Sequence, residues 1–148
     1  MRLLFVLWWA LCMHGAHAIG LDVFQGFQSQ SLPAGVEYLE DPVGGLTLAN
    51  VLKSSDMAWM RSDSDVPTLG YSRSSYWFRF HLRNTGPADV ATLLEIAYPV
   101  LNHVDLFVIQ SNQAVWSSHM GSDQPVSQRR YPHRNFITPI DLRGGESV

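Results

Sequence analysis

The chain has 148 residues, 46% hydrophobic and 16% charged. That leaves room for one globular domain and excludes a disordered chain. A net charge of -3 with no basic block argues against non-specific nucleic-acid binding, and the single Cys12 excludes a disulfide framework or a cysteine-based zinc cluster.

The chain opens as an export signal. Arg2 is followed by an unbroken apolar run from Leu3 to Met13, then by Ala16-His17-Ala18, with small residues where a signal peptidase reads. Residues 1–18 are therefore expected to be a signal peptide, and residues 19–148 a periplasmic β-sandwich domain. An uncleaved N-terminal anchor is the alternative. A lipoprotein reading fails because the bulky Leu11 precedes Cys12. After Met13 no apolar run approaches the roughly 20 residues of a transmembrane helix.

Beyond the signal the chain reads as short strands. Weak candidates lie at 22–27 and 36–39. Thr47 is placed to cap one short helical turn through Leu48, Val51 and Leu52, ending near Ser54. Residues 54–74 read as a loop closing onto the domain, with Met57, Trp59 and Met60 expected to be buried. The strongest strand is 75–83. Alternation puts Tyr76, Phe78, Phe80 and Leu82 on one face and Trp77, Arg79, His81 and Arg83 on the other.

Asn84-Thr85-Gly86-Pro87 ends that strand with turn chemistry. Further strands are expected at 92–98, stopped by Pro99, and at 103–109. The second has Val104, Leu106 and Val108 on one face and His103, Asp105 and Phe107 on the other. Residues 110–113 form a turn into a strand at 114–116, and a last strand covers 135–140. Strands at this spacing, separated by Gly, Pro, Asn and Asp, indicate an all-β antiparallel sandwich or barrel. Tyr76, Phe78, Phe80, Leu94, Ile96, Leu106 and Val108 are the expected core.

Several segments carry a resemblance. They are Tyr38-Leu39-Glu40-Asp41 with Gly45-Leu46-Thr47-Leu48, and Gly70-Tyr71-Ser72 with Tyr76-Trp77-Phe78-Arg79-Phe80. Leu94-Glu95-Ile96 with Tyr98-Pro99, His103-Val104-Asp105-Leu106-Phe107 and Pro132-His133-Arg134-Asn135-Phe136 complete them. In order and spacing the chain resembles the type-2 extracellular domain of bacterial seven-transmembrane receptors with diverse intracellular signalling modules. The resemblance implies a jelly-roll, carbohydrate-binding-module-like or galactose-binding-like sandwich in the periplasm. It also implies a seven-helix membrane segment and a cytoplasmic signalling module as partners. It implies a further strand after Gly144-Gly145, so the domain is expected to be incomplete at its C-terminal end.

For function, the polar strand faces matter most. With the strands in one sheet, Trp77, Arg79, Glu95, His103 and Asp105 form a polar patch around an aromatic platform. That combination suits a sugar or another small polar ligand. The bland alternative is that Arg79 pairs with Glu95 or Asp105 and sets register. His133, Arg134 and Asn135 are candidate ligand-binding residues on a rim loop, or residues that tie loop backbone. Glu40 and Asp41 are adjacent, so a strand points them to opposite faces, which is wrong for a glycosidase pair.

His103 and Asp105 are two ligands at most, too few for a metal. No cofactor motif or catalytic constellation is present, and the expected role is a non-enzymatic ligand sensor. The alternatives are an accessory carbohydrate-binding module of a secreted glycoside hydrolase and a protein-interaction module. The latter would pair with a second copy or a partner sensor domain.

Overall fold

A two-residue turn shows how local chemistry builds this domain. Ser111 and Asn112 both have positive φ, +48° and +61°, and they join β7 (Val104–Gln110) to β8 (Gln113–Met120). Left-handed geometry at both central residues matches the twist of the flanking strands and sets the register Gln110↔Gln113. The computed structural model describes residues 19–53 and 59–148. The signal-peptide segment, and Met57 of the long loop, lie outside the described residues.

The remaining strands are β1 (Gly20–Val23), β2 (Glu37–Asp41), β3 (Met60–Arg61), β4 (Ser75–Arg79), β5 (His81–Asn84), β6 (Val90–Ile96) and β9 (Phe136–Leu142). Among the described residues a 3-10 turn covers Val126–Gln128, and one short α-helix, α1, covers Leu48–Lys53. Its start is capped reciprocally: Asn50 N donates to Thr47 Oγ1 at 3.3 Å, and Thr47 N donates to Asn50 Oδ1 at 2.9 Å. This is a capping box with Asn in the position of the usual Glu.

The strands pair as β3-β2-β4, β6-β9 and β7-β8, all antiparallel, and as a parallel pair β1-β5. Beyond Gly144-Gly145 the chain returns along β5. Leu82 and Val148 exchange both backbone bonds at 2.9 Å, and Asn84 N donates to Glu146 O. Ser147 thereby forms an isolated antiparallel bridge with Arg83.

The core is Leu21, Val23, Leu82, Ile140 and Leu142, with Phe80, Val90, Leu94, Leu106 and Val108 packed against it. Four of the expected core residues, Phe80, Leu94, Leu106 and Val108, are among these. Asn84 is fully buried at the edge of this core. Its Nδ2 donates to the carbonyls of Ala88, Leu142 and Arg143, and its Oδ1 accepts from Gly86 N. One side chain thus holds the end of β5, the following turn and the end of β9 together.

The expected strand at 75–83 is corrected. It is two strands, β4 and β5, broken at Phe80 and belonging to different sheets. Phe80, Leu82 and Asn84 face the core on the β5 side. On β4 the other parity is covered: Trp77 and Arg79 are packed, while Phe78 is 45% exposed. The pleat does not carry through the break, so two consecutive residues, Arg79 and Phe80, both meet covered surfaces. Phe78 is not a core residue, and Tyr76 is only half-buried beside Tyr38. Met60, also expected inside, is exposed in the short edge strand β3.

Candidate ligand-binding surface

The β3-β2-β4 sheet is locked by charge. Register places Glu37 opposite both Arg61 and Arg79. Glu37 is 1% exposed. Its carboxylate accepts from Arg79 Nε at 2.8 Å and from Arg61 Nε at 3.4 Å. The Arg79 guanidinium also lies 4.2 Å from the Trp59 ring centroid, a cation–π contact. Arg79 therefore sets register, as the bland alternative expects, but its partner is Glu37 rather than Glu95 or Asp105.

A second arrangement crosses from β4 to the β7-β8 hairpin. The Trp77 indole stacks on Phe107, with centroids 6.1 Å apart and planes 16° off parallel. Phe107 in turn meets the His119 ring edge-on at 6.4 Å. His119 Nδ1 lies 2.6 Å from Asp105 Oδ1, directly across the hairpin. Both polar side chains are more than half exposed, so this pair adds at most about 1 kcal/mol to stability. Trp77 and Asp105 are thus neighbours through Phe107 and His119. His103 stands at the base of the hairpin and pairs with Asp123 at 3.5 Å, not with Asp105.

The third arrangement is the loop before β9. Asn135 Nδ2 donates to Glu95 Oε1 at 2.6 Å, and Asn135 N donates to His133 Nδ1 at 3.1 Å. Glu95, His133 and Asn135 therefore form one chain of bonds from β6 into the loop. Arg134 contributes its carbonyl, which accepts from Arg129 Nη1. Arg129 is the residue that sequence reasoning missed. Its guanidinium also donates to the carbonyls of His133 and Gly121, and it lies 4.8 Å from the Phe136 ring centroid. Nothing local in the sequence marks it, because its partners are backbone atoms of two other segments.

Between β8 and this loop lies a cleft of about 170 Å³. Trp116, Ser118 and Met120 of β8 form one wall, Ile137, Thr138 and Pro139 of β9 the other, and Gln124 with residues 128–131 the rim. Among the described residues β9 pairs with β6 alone, and Pro139 has no N–H to offer a further strand. A shallower cleft of about 210 Å³ lies between Tyr38, Arg61 and the hydroxyls of Ser64 and Thr68.

Glu40 and Asp41 point to opposite sides of β2. Glu40 accepts from the Ser74 and Tyr76 hydroxyls, and Asp41 from the backbone N–H groups of Leu46 and Gly45. The Leu46 N–H above all holds the Asp41 carboxyl below the usual carboxylate range; burial opposes it and further loop N–H groups assist it. Among the described residues no group of His, Cys, Asp and Glu is arranged to hold a metal ion, and no helix is long and apolar enough to cross a membrane.

The domain is predominantly β-strand, with aromatic and polar side chains brought together where the β7-β8 hairpin meets β4. The family model for the 7TMR-DISM extracellular 2 domain matches residues 34–148, and the chain belongs to that family. It is an extracellular, periplasmic sensor domain of a membrane signalling receptor, and such sensor domains are non-catalytic. No curated protein and no solved structure matches the chain.

Proposed function

We propose that this domain is a jelly-roll ligand sensor recognising a carbohydrate or a related small polar molecule. Residues 1–18 direct export and are removed, so that the mature domain begins at Ile19. The observation that supports ligand recognition best is the row Trp77–Phe107–His119–Asp105. It combines a stacked aromatic floor with an exposed imidazole–carboxylate edge, the pairing a sugar ring and its hydroxyls require. His103 stands at the hairpin base, and Glu95 on β6 with His133, Arg134 and Asn135 on the loop before β9 forms a second polar group. Arg79 supports the strand that carries Trp77. Binding shifts the equilibrium between two arrangements of the domain relative to its membrane segment.

A thermal-shift and glycan-array screen tests this reading. Trp77→Ala and Asp105→Ala should each weaken any hit by about tenfold or more. Normal binding by both variants would sink it. A second reading, docking of a partner sensor domain or a second copy, rests on the row Met60–Tyr38–Phe78 across β3-β2-β4, where Met60 and Phe78 are each more than 40% exposed. Phe78→Ser should then abolish self-association in sedimentation without lowering the melting temperature.

A further inference from the structure

The cleft beside β8 differs in charge from the rest of the molecule. The chain carries a net charge of -3, yet the cleft is lined by Arg129, Arg130 and His119 and by no Asp or Glu. His119 is matched by Asp105, which lies outside the lining. The two arginines are not matched. Arg129 is held only by backbone carbonyls and the Phe136 ring, none of which carries a negative charge. Arg130 is exposed and makes no hydrogen bond or ion pair with the other described residues.

Two further observations concern the same cleft. Arg129 Nε is buried and has no hydrogen-bond partner. The Arg129 cation is thus desolvated in part with no anionic oxygen beside it, which favours a negative charge nearby. Trp116 presents a 40% exposed indole in the same wall. The cleft volume, about 170 Å³, falls below the roughly 300 Å³ at which drug-sized sites begin. It suits a single ring.

The geometry points to this cleft as a binding site for a small anionic ligand, a ring that bears a carboxylate. Arg130 supplies the exposed charge, Arg129 a second positive charge with no carboxylate beside it, and Trp116 the face on which the ring packs. This goes beyond the sensor reading by adding a second binding site, and it rests on residues other than Trp77 and Asp105, so the two fail separately.

The test is calorimetric titration of the full chain at low salt with galacturonate, galactose, benzoate and inorganic sulfate. Galacturonate and galactose share a ring and differ at the carboxylate. The two carboxylates should bind at least about tenfold more tightly than galactose or sulfate. Their affinity should fall as sodium chloride rises. Arg130→Gln should weaken galacturonate by about tenfold or more with an unchanged melting temperature, while Arg73→Gln on another surface leaves binding intact. Equal binding of galactose and galacturonate overturns the proposal, as does equal binding of sulfate, wild-type affinity in Arg130→Gln, or no binding of either carboxylate. Galactose binding that survives Arg130→Gln belongs to the Trp77 surface, and leaves that reading standing while overturning this one.

Discussion

Glu37 and Arg79 face each other across β2 and β4, 42 residues apart in sequence, with carboxylate and guanidinium 2.8 Å apart. Only one of the two is deeply buried. Glu37 is 1% exposed, whereas the Arg79 and Arg61 side chains still reach water. Replacing Glu37 by Gln removes the buried carboxylate that Arg61 and Arg79 share. A fully buried pair so broken loses roughly 3–5 kcal/mol; with both arginines partly solvated, the expected loss is about 2 kcal/mol. Urea denaturation of Glu37→Gln checks it, and a midpoint equal to wild type would show that the pair contributes nothing net.

Asn84 is expected to matter more than a turn residue should. Asn84→Ala deprives three carbonyls of a donor and Gly86 N of an acceptor. The expected destabilisation is on the order of 2–3 kcal/mol. Asn84→Asp should be worse, because a carboxylate would face three carbonyl oxygens. Chemical denaturation of the two variants side by side gives the order.

Phe78 and Phe136 separate exposed from buried aromatic surface. Phe136 is 1% exposed and Phe78 45%. Phe136→Ala should cost on the order of 3–5 kcal/mol through the cavity it leaves. Phe78→Ala should cost about 1 kcal/mol, the value typical of an average substitution. Calorimetric melting of both distinguishes this arrangement from one in which Phe78 is core.

Asp41 makes stability depend on acid. Its folded value lies below that of the unfolded chain, mainly because the Leu46 N–H binds the carboxylate. The stabilisation is therefore fully present above the unfolded value, about 3.9, and is lost as pH falls through the folded one. Wild type should exceed Asp41→Asn in melting temperature at neutral pH, with the gap closing below about pH 4. A gap that stays constant to pH 2 would assign the loss in Asp41→Asn to packing instead.

Sequence alone carried the positions of β6 and β7, the capped turn at Thr47 and the 110–113 hairpin turn. These depend on alternation and on what Thr, Ser and Asn do to their own backbone, so neighbouring residues suffice. The candidate site was legible only in pieces. Trp77 and Asp105 were visible as a large aromatic and a carboxylate on polar strand faces, whereas Phe107 and His119, which connect them, depend on how the β7-β8 hairpin meets β4. Which face of β4 is covered was a tertiary decision. A strand's pleat assigns residues to two sides, but burial follows from the sheet that lies opposite, and the break at Phe80 hands the chain from one sheet to another. Glu37 and Arg129 were invisible for the same reason: an isolated charge in a strand or loop reads as solvent-facing until folding brings its partners from Arg61, Arg79, Gly121 and Phe136.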